Sequence, residues 1–339
     1  MRRRQVLALA AVGLTGCLSD SSPGDATENG TTDDATGTPR TTTGPTNTSE
    51  RPEATEPTDP PATDDTAPPN LESYPGDCPT YDASRVVCTA AAPDGVPLRM
   101  AASQSSVELP ADVEFTLHND TDAEYQFNHF AGRLHKRVDG EWFHVAPNGW
   151  PEPLMVMPGG ESYTWSVSLA HSEDPGGTGG GADEVTVGGL GGGRYAFGNV
   201  GWFSNDDHEG QTATVATVDI DAPPAELTTT GDVNDASVDG ETLSARWTGG
   251  HDGEYSSEAT FVLTRVDENA DHRLITEQVL QPNVHPRPLR DALALSTEYG
   301  VESVRLTGTT GSTPPFGVRS TGRFEYDGRS YEMSAEENE

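Results

Sequence analysis

Four side chains on one predicted hairpin could do chemistry together. Asp139-Gly140 separates two runs of alternating polarity and is typical of a two-residue turn of the type I′ kind. In such a hairpin Arg137 lies opposite Trp142. His135 lies opposite His144 in the same way, with opposed Cβ atoms about 4.5–5.5 Å apart. The sequence therefore predicts a contact patch of one guanidinium, one indole and two imidazoles on the outer face of these strands.

This contact patch has competing interpretations. Two facing imidazoles could hold a metal ion, but a zinc site takes three or four ligands, and His129 is the nearest candidate for a third. A simpler interpretation is an arginine stacked on a tryptophan beside two surface histidines. As an outward-facing group, the patch is also a candidate contact surface for an unidentified partner.

A second group of oxygen ligands lies further along the chain. Asp267, Asn269 and Asp271 match the first three ligand positions of a calcium loop. The match ends there, because His272 stands where glycine is needed and Gln278 where a bidentate glutamate is needed. An acidic turn between two strands is the simpler interpretation, so metal binding stays unknown and no cofactor is predicted.

Catalytic motifs are missing from the sequence. Gly-x-Ser-x-Gly, His-Glu-x-x-His and paired Cys-x-x-Cys all fail to occur. A triad assembled from distant residues would leave no such local motif, so a secreted hydrolase stays an alternative. The sequence favours a protein that is not an enzyme.

The elements that must position these side chains are β-strands. Apolar and polar residues alternate at period two, which is typical of half-buried strands with one wet face. Seven or eight such strands within about 125 residues indicate an antiparallel β-sandwich, placed at residues 73–221. Strands are predicted at residues 111–118, 125–130, 133–138, 141–145, 162–169, 194–200 and 211–220.

A second unit is predicted at residues 222–339. Its proline-led segment 286–295 predicts a helix, because proline is tolerated in the first turn. One helix on an antiparallel sheet makes this a small α+β domain. Its strands are predicted at residues 241–248, 258–266, 273–280, 301–307, 322–326 and 330–334.

The first unit resembles a known family. Four segments together are similar to the sequence pattern of bacterial Ig-like domains. They are Phe115-Thr-Leu-His-Asn119-Asp-Thr121, the Asp-Gly-Glu-Trp hairpin of residues 134–147, Met157-Pro-Gly-Gly-Glu161 and Gly192-Gly-Arg-Tyr195. The resemblance covers residues 96–221 and implies a sandwich that binds or adheres, with no catalytic residue carried over. This chain departs from the family in a long glycine-rich insert at residues 171–193.

A leader begins the chain. Three arginines precede a short apolar segment that ends at Leu14-Thr15-Gly16-Cys17, which has the form of a lipobox. Arg3 and Arg4 resemble the pair of a twin-arginine signal, which exports folded proteins. The lipobox resemblance implies cleavage before Cys17 and lipidation of its thiol with two acyl chains, which together anchor a protein stably. We expect residues 1–16 to be a signal peptide and the protein to be lipid-anchored on the extracytoplasmic face of the cell membrane.

The stretch after Cys17 should hold the folded part away from the membrane. Residues 17–72 are almost free of aliphatic and aromatic side chains, so they predict a disordered stalk rich in Thr, Pro and Asp. Cys78 and Cys88 then open the sandwich unit. Outside the cytoplasm a pair at this spacing favours a disulfide over a metal site.

Charge narrows the class of partners. The chain carries 55 Asp and Glu against 20 Lys and Arg, a net charge of -35, with Lys136 as its only lysine. This composition resembles haloarchaeal-type lipoproteins and indicates a hydrated surface suited to high salt. Nucleic acid is not expected as a partner, because no basic stripe exists to neutralise phosphates.

These observations predict a cell-surface lipoprotein that is not an enzyme. It would present an Ig-like module for binding or for structural and adhesive contacts, with the membrane and an unidentified protein or envelope component as partners. One alternative is a lipoprotein that captures a solute or ion beside a transporter or sensor. Another is a proteinase inhibitor or secreted hydrolase.

Overall fold

The protein is mostly β, as the period-two patterns predict. The structure is a computed structural model that describes residues 71–172, 183–204, 210–250, 253, 256–281, 286–318 and 321–338. The signal-peptide residues Arg3, Arg4, Leu14, Thr15 and Gly16, the lipidation candidate Cys17 and nearly all of the predicted stalk lie outside this part of the chain.

The first twelve strands form two sheets that share one hydrophobic core, which confirms the predicted sandwich. Stacked Phe115 and Phe197 rings, with centroids 4.6 Å apart, join the two sheets at the centre of this core. The strands are β1 (Arg85–Cys88), β2 (Leu98–Ala102), β3 (Ser106–Glu108), β4 (Ala111–Asn119), β5 (Tyr125–Phe127), β6 (Arg133–Val138), β7 (Glu141–Ala146), β8 (Met155–Met157), β9 (Ser162–Leu169), β10 (Glu184–Val187), β11 (Gly193–Phe203) and β12 (Thr212–Asp221).

The larger of these sheets carries the predicted contact patch. Its path runs β1-β12-β11-β5-β8, with β3 beside β12, β6 beside β11 and β7 beside β6. The smaller sheet has the order β10-β9-β4-β2. Most pairs are antiparallel, but β1 and β3 are parallel to β12, and β10 is parallel to β9.

The glycine-rich insert is only partly a loop. β10 lies within it and pairs with β9, so the insert adds an edge strand to the smaller sheet. Residues 173–182 of the insert lie outside the described part of the chain.

A third sheet follows, and a helix packs on it, as predicted for the α+β unit. The elements are β13 (Val233–Asp239), β14 (Thr242–Trp247), β15 (Ser257–Val266), β16 (His272–Arg273), α1 (Thr276–Leu280), α2 (Pro288–Tyr299), β17 (Ser303–Thr310), β18 (Gly322–Tyr326) and β19 (Arg329–Glu337). The strand order is β13-β14-β17-β15-β19-β18-β16, and α2 is the helix that packs on the sheet. The sheet is mixed and not purely antiparallel as predicted, because β14 is parallel to β17 and β16 is parallel to β18.

One predicted element of this unit was wrong. Residues 273–280 were expected to form a strand, but only the end of β16 is extended and α1 is helical. The Gln278 side chain accepts a hydrogen bond from the Ile275 N–H (3.1 Å) and so caps the start of α1. Ile275 belongs to the core of the sandwich, so a tertiary contact fixes this short helix against its alternating pattern.

The helix α1 joins the third sheet to the sandwich, and both belong to one compact unit. Among the described strands, β7 pairs with β6 alone and so lies at the edge of the sheet. The Gln278 side-chain amide donates to the His144 carbonyl of β7 (2.9 Å), and so α1 covers this edge. In the part of the chain that the structure describes, no helix is long and apolar enough to cross a membrane.

Candidate functional site

The predicted hairpin is present with the predicted register. Arg137 pairs with Trp142, and His135 pairs with His144. At the turn, Asp139 has φ 51° and Gly140 has φ 90°, the left-handed values that a type I′ turn requires. Leu134, Phe143 and Val145 are buried on the inner face, so the four residues of the contact patch share the other face.

That other face is not the open surface that the alternation predicts. All four residues of the contact patch are half-buried, because the segment around the Cys78–Cys88 disulfide lies over this side of the sheet. Cys78 and Tyr81 pack there against small apolar residues of β11 and β12, which are Ala196, Ala213 and Val215. A strand that is apolar on both faces must be covered on both faces. The small apolar residues on this face of β11 and β12 were therefore the signal in the sequence that the disulfide segment lies over them.

A cavity of about 490 Å³ lies between the disulfide segment, which includes Cys78 and Tyr81, and the hairpin of β6 and β7. We call it the arginine–aromatic cavity. It brings together three of the predicted contact-patch residues, the disulfide loop and the segment after β7. Its lining residues are Cys78, Pro79, Thr80, Tyr81, Asp82, Arg133, His135, Trp142, His144 and Trp150.

Tyr81 forms one wall of the cavity and is held in an unusual backbone conformation. Tyr81 and Asp82 have φ 56° and φ 58°, which is strained for residues with side chains. The Tyr81 ring lies on Gly198 of β11, where an added Cβ would stand 2.8 Å from ring atoms. Glycine is therefore needed at position 198 to let the aromatic wall approach the sheet.

Arg133 supplies the positive charge of the cavity. Its guanidinium carbon lies over the Tyr81 ring (4.9 Å) and the Trp150 ring (5.7 Å). No carboxylate among the described residues lies within ion-pairing distance of it, and burial lowers its pKa. Asp82, exposed on the rim, raises that pKa from a distance.

Arg137, the arginine singled out from the sequence, has a different partner. It forms an ion pair with Asp77 of the covering segment, and it does not line the cavity. The stack of an arginine on a tryptophan is found instead between Arg133 and Trp150. Sequence reasoning missed Arg133, although extending the alternation of β6 by one pair would have included it.

The two histidines are neutral at physiological pH. Burial is the main cause that lowers the pKa of His135 to about 3, and neighbouring His144 and Arg133 act in the same direction. Burial and the charge of Arg133 also lower the pKa of His144. The two imidazole centroids are 5.1 Å apart, and the Tyr81 ring meets His135 edge-on at 4.6 Å.

Buried polar atoms without partners are frequent among the residues that line this cavity. Nine side-chain polar atoms of the described residues are buried and have no hydrogen-bond partner, and four of them belong to lining residues. Such atoms are uncommon because each costs about 1–3 kcal/mol, so much of this cost is concentrated at the cavity. The four are Arg133 Nε, His135 Nδ1, Trp142 Nε1 and His144 Nε2.

Among the described residues, the structure brings no third metal ligand to the two cavity histidines. No group of three or more His, Cys, Asp or Glu side chains able to hold a metal occurs among the described residues. His129 does not join the two cavity histidines, since its ring packs beside Phe130 and Tyr163.

The predicted calcium ligands lie in the turn between β15 and β16. The side chains of Asp267, Asn269 and Asp271 are exposed there. Calcium binding by this turn remains a prediction.

The third sheet and α1 support the hairpin from its other side. The Arg273 guanidinium donates to Asp139 in the hairpin turn (2.7 Å) and lies over the Phe143 ring (5.6 Å). Lys136 of β6 forms a buried ion pair with Glu277 of α1. The hairpin is thus held between the disulfide segment on one side and α1 on the other.

No known protein family and no curated protein matches this chain.

Proposed function

We propose that this chain is a lipid-anchored binding protein of the extracytoplasmic membrane face, and that the arginine–aromatic cavity is its binding site. The observation that carries the proposal is the Arg133 guanidinium, which lies between two aromatic rings of a concave cavity without a carboxylate partner among the described residues. The lipobox form of Leu14-Thr15-Gly16-Cys17 supports the anchor, and the Cys78–Cys88 disulfide supports an oxidising location.

A concave site favours capture of a small solute over a broad adhesive contact. The cavity volume of about 490 Å³ falls within the range of about 300–1,000 Å³ that is common for small-molecule sites. A metal ion is a poor fit, because Arg133 brings a positive charge and the described residues supply no third ligand beside the two histidines.

Binding without catalysis fits the lining better than hydrolysis does. The lining has no serine, its only cysteine is in the disulfide, and its only carboxylate, Asp82, is exposed on the rim. Among the described residues, no buried carboxylate orients either cavity histidine as a catalytic base, as in a Ser-His-Asp triad. We therefore propose a module that is not an enzyme.

The anchor is tested by cell fractionation. Cys17→Ala should move the protein from the membrane to the medium, while Thr41→Ala in the predicted stalk should leave it on the membrane. A Cys17→Ala protein that stays with the membrane would overturn the lipid-anchor proposal.

The cavity is tested by native mass spectrometry of the chain purified from its own cells. We expect a bound small molecule on the wild-type protein and on a Tyr299→Ala control, whose side chain is exposed on α2. Trp142→Ala should lose this adduct while keeping the near-ultraviolet circular dichroism of a folded protein. Equal adducts on both variants would place the binding site elsewhere.

A further inference from the structure

We propose that the arginine–aromatic cavity takes a ring that bears one carboxylate, with the carboxylate bound at the guanidinium of Arg133. This inference rests on the proposed function of the cavity as a small-molecule site, and it names the chemical class of the ligand.

The charge of the cavity calls for an anion. Arg133 faces two aromatic rings and has no carboxylate of the described residues within ion-pairing distance, whereas Arg137 is already paired with Asp77. A guanidinium in a half-enclosed cavity loses part of its hydration, and a bound carboxylate compensates for that loss. The same charge disfavours cationic ligands.

A single carboxylate suits the site better than a phosphate. Arg133 is the only arginine or lysine among the described residues that line the cavity, and Lys136 on the opposite face of β6 is paired with Glu277. Asp82 on the rim would repel a second negative charge. The planar fork of an arginine also matches the two oxygens of a carboxylate, which it can bind with two parallel hydrogen bonds.

The walls of the cavity call for a flat ring. Tyr81, Trp142 and Trp150 give it three large aromatic surfaces, which favour contact with an aromatic ring or with the apolar face of a sugar.

Both aromatic acids and uronic acids have this chemistry, and the test separates them. Isothermal titration of the purified full chain in molar KCl would use indole-3-acetate and glucuronate as probes. The matched neutral probes are indole-3-acetamide and glucose, and acetate is the probe without a ring. We expect one of the two acids to bind at least about 10-fold more tightly than its neutral partner and than acetate, because a charge-assisted hydrogen bond contributes about that much.

Variants assign the effect to Arg133. Arg133→Gln should weaken binding of the acid by about 10- to 100-fold, and Arg133→Lys should restore part of it by keeping the charge without the fork. Arg305→Gln is the matched control, because Arg305 is paired with Glu336 on the third sheet. Thermal unfolding of each variant checks that it is folded.

The outcomes separate the ligand class from the site. If the neutral probes bind as well as the acids and Trp142→Ala still abolishes binding, the proposal of a carboxylate ligand is wrong, but the proposal that the cavity is the binding site is supported. Unchanged binding of the acid by Arg133→Gln would also overturn the carboxylate proposal. If no acid binds up to about 10 mM, the ring carboxylate is overturned, and the native adduct alone then decides whether the cavity binds a small molecule.

Discussion

Lys136 of β6 and Glu277 of α1 form a buried ion pair that links the sandwich to the third-sheet unit. The two residues are 8 % and 3 % exposed, and Lys136 is the only lysine in the chain. Glu277 also accepts a hydrogen bond from the Gly191 N–H (3.2 Å), and the Lys136 ammonium lies 5.5 Å from the centroid of the Tyr195 ring. The pair therefore fixes the hairpin of the arginine–aromatic cavity against its neighbouring unit.

Breaking this pair should destabilise the protein strongly. Glu277→Gln leaves the Lys136 ammonium buried without its counter-charge, and we expect a loss of about 3–5 kcal/mol in the free energy of unfolding. This loss is measured by comparing the guanidinium-induced unfolding curves of the variant and the wild type. Glu336→Gln, which breaks an exposed pair with Arg305, should change stability by at most about 1 kcal/mol.

Replacing both partners should be much less harmful than removing one. Lys136→Met with Glu277→Leu removes two buried charges together, so the double variant should recover most of the loss. A double variant as unstable as Glu277→Gln would contradict this account of the pair.

Acid should destabilise the cavity through His135. Its pKa falls from 6.5 to about 3 on folding, so the unfolded chain binds more protons between these values. Above the ordinary pKa of 6.5, the contribution of His135 to the free energy of unfolding does not change with pH. As the pH falls below 6.5, the protein loses stability, by about 2 kcal/mol at pH 5.

The contribution of His135 is isolated with His135→Gln. The stability difference between wild type and variant should shrink by about 2 kcal/mol from pH 7.5 to pH 5, because the variant lacks this proton linkage. Arg133, His144 and Tyr81 face His135 in both proteins, so their effects largely cancel. A difference that is independent of pH would show that His135 titrates normally.

The disulfide should stabilise both the fold and the wall of the cavity. Cys78 and Cys88 are separated by 10 residues, and a loop of this length contributes about 2–3 kcal/mol. Cys78→Ser with Cys88→Ser should lower stability by that amount and weaken ligand binding, because Tyr81 lies within the closed loop. Reduction of the wild type by dithiothreitol should reproduce both effects, and it should leave the double variant unchanged.

Salt should stabilise the protein. With a net charge of -35, acidic groups repel one another, and the Debye length falls from about 10 Å at 0.1 M to about 3 Å at 1 M salt. We expect the midpoint of thermal unfolding to rise steeply over this range of KCl. Sucrose does not screen charge, so a rise of equal size in sucrose would count against a role for charge repulsion.

The sandwich could be predicted because apolar and polar residues alternate along its strands. The Asp139-Gly140 turn also fixed the register of β6 and β7, so the opposition of His135 and His144 followed from local sequence alone. The strand predicted at residues 273–280 was wrong at α1. Ile275 and Glu277 contact the sandwich there, and these tertiary contacts favour a helix over the strand that their alternating polarity predicts.

The sequence by itself determined which side chains share one face of the hairpin, because alternation and turn type are local properties. Only the tertiary structure decided that this face lines a cavity rather than a wet surface. Tyr81 and Trp150 reach it from segments before and after the hairpin, and Arg133 faces both rings without a carboxylate partner among the described residues. These contacts join residues far apart in the chain, and the packing of the covering segment on β11 and β12 brings them together.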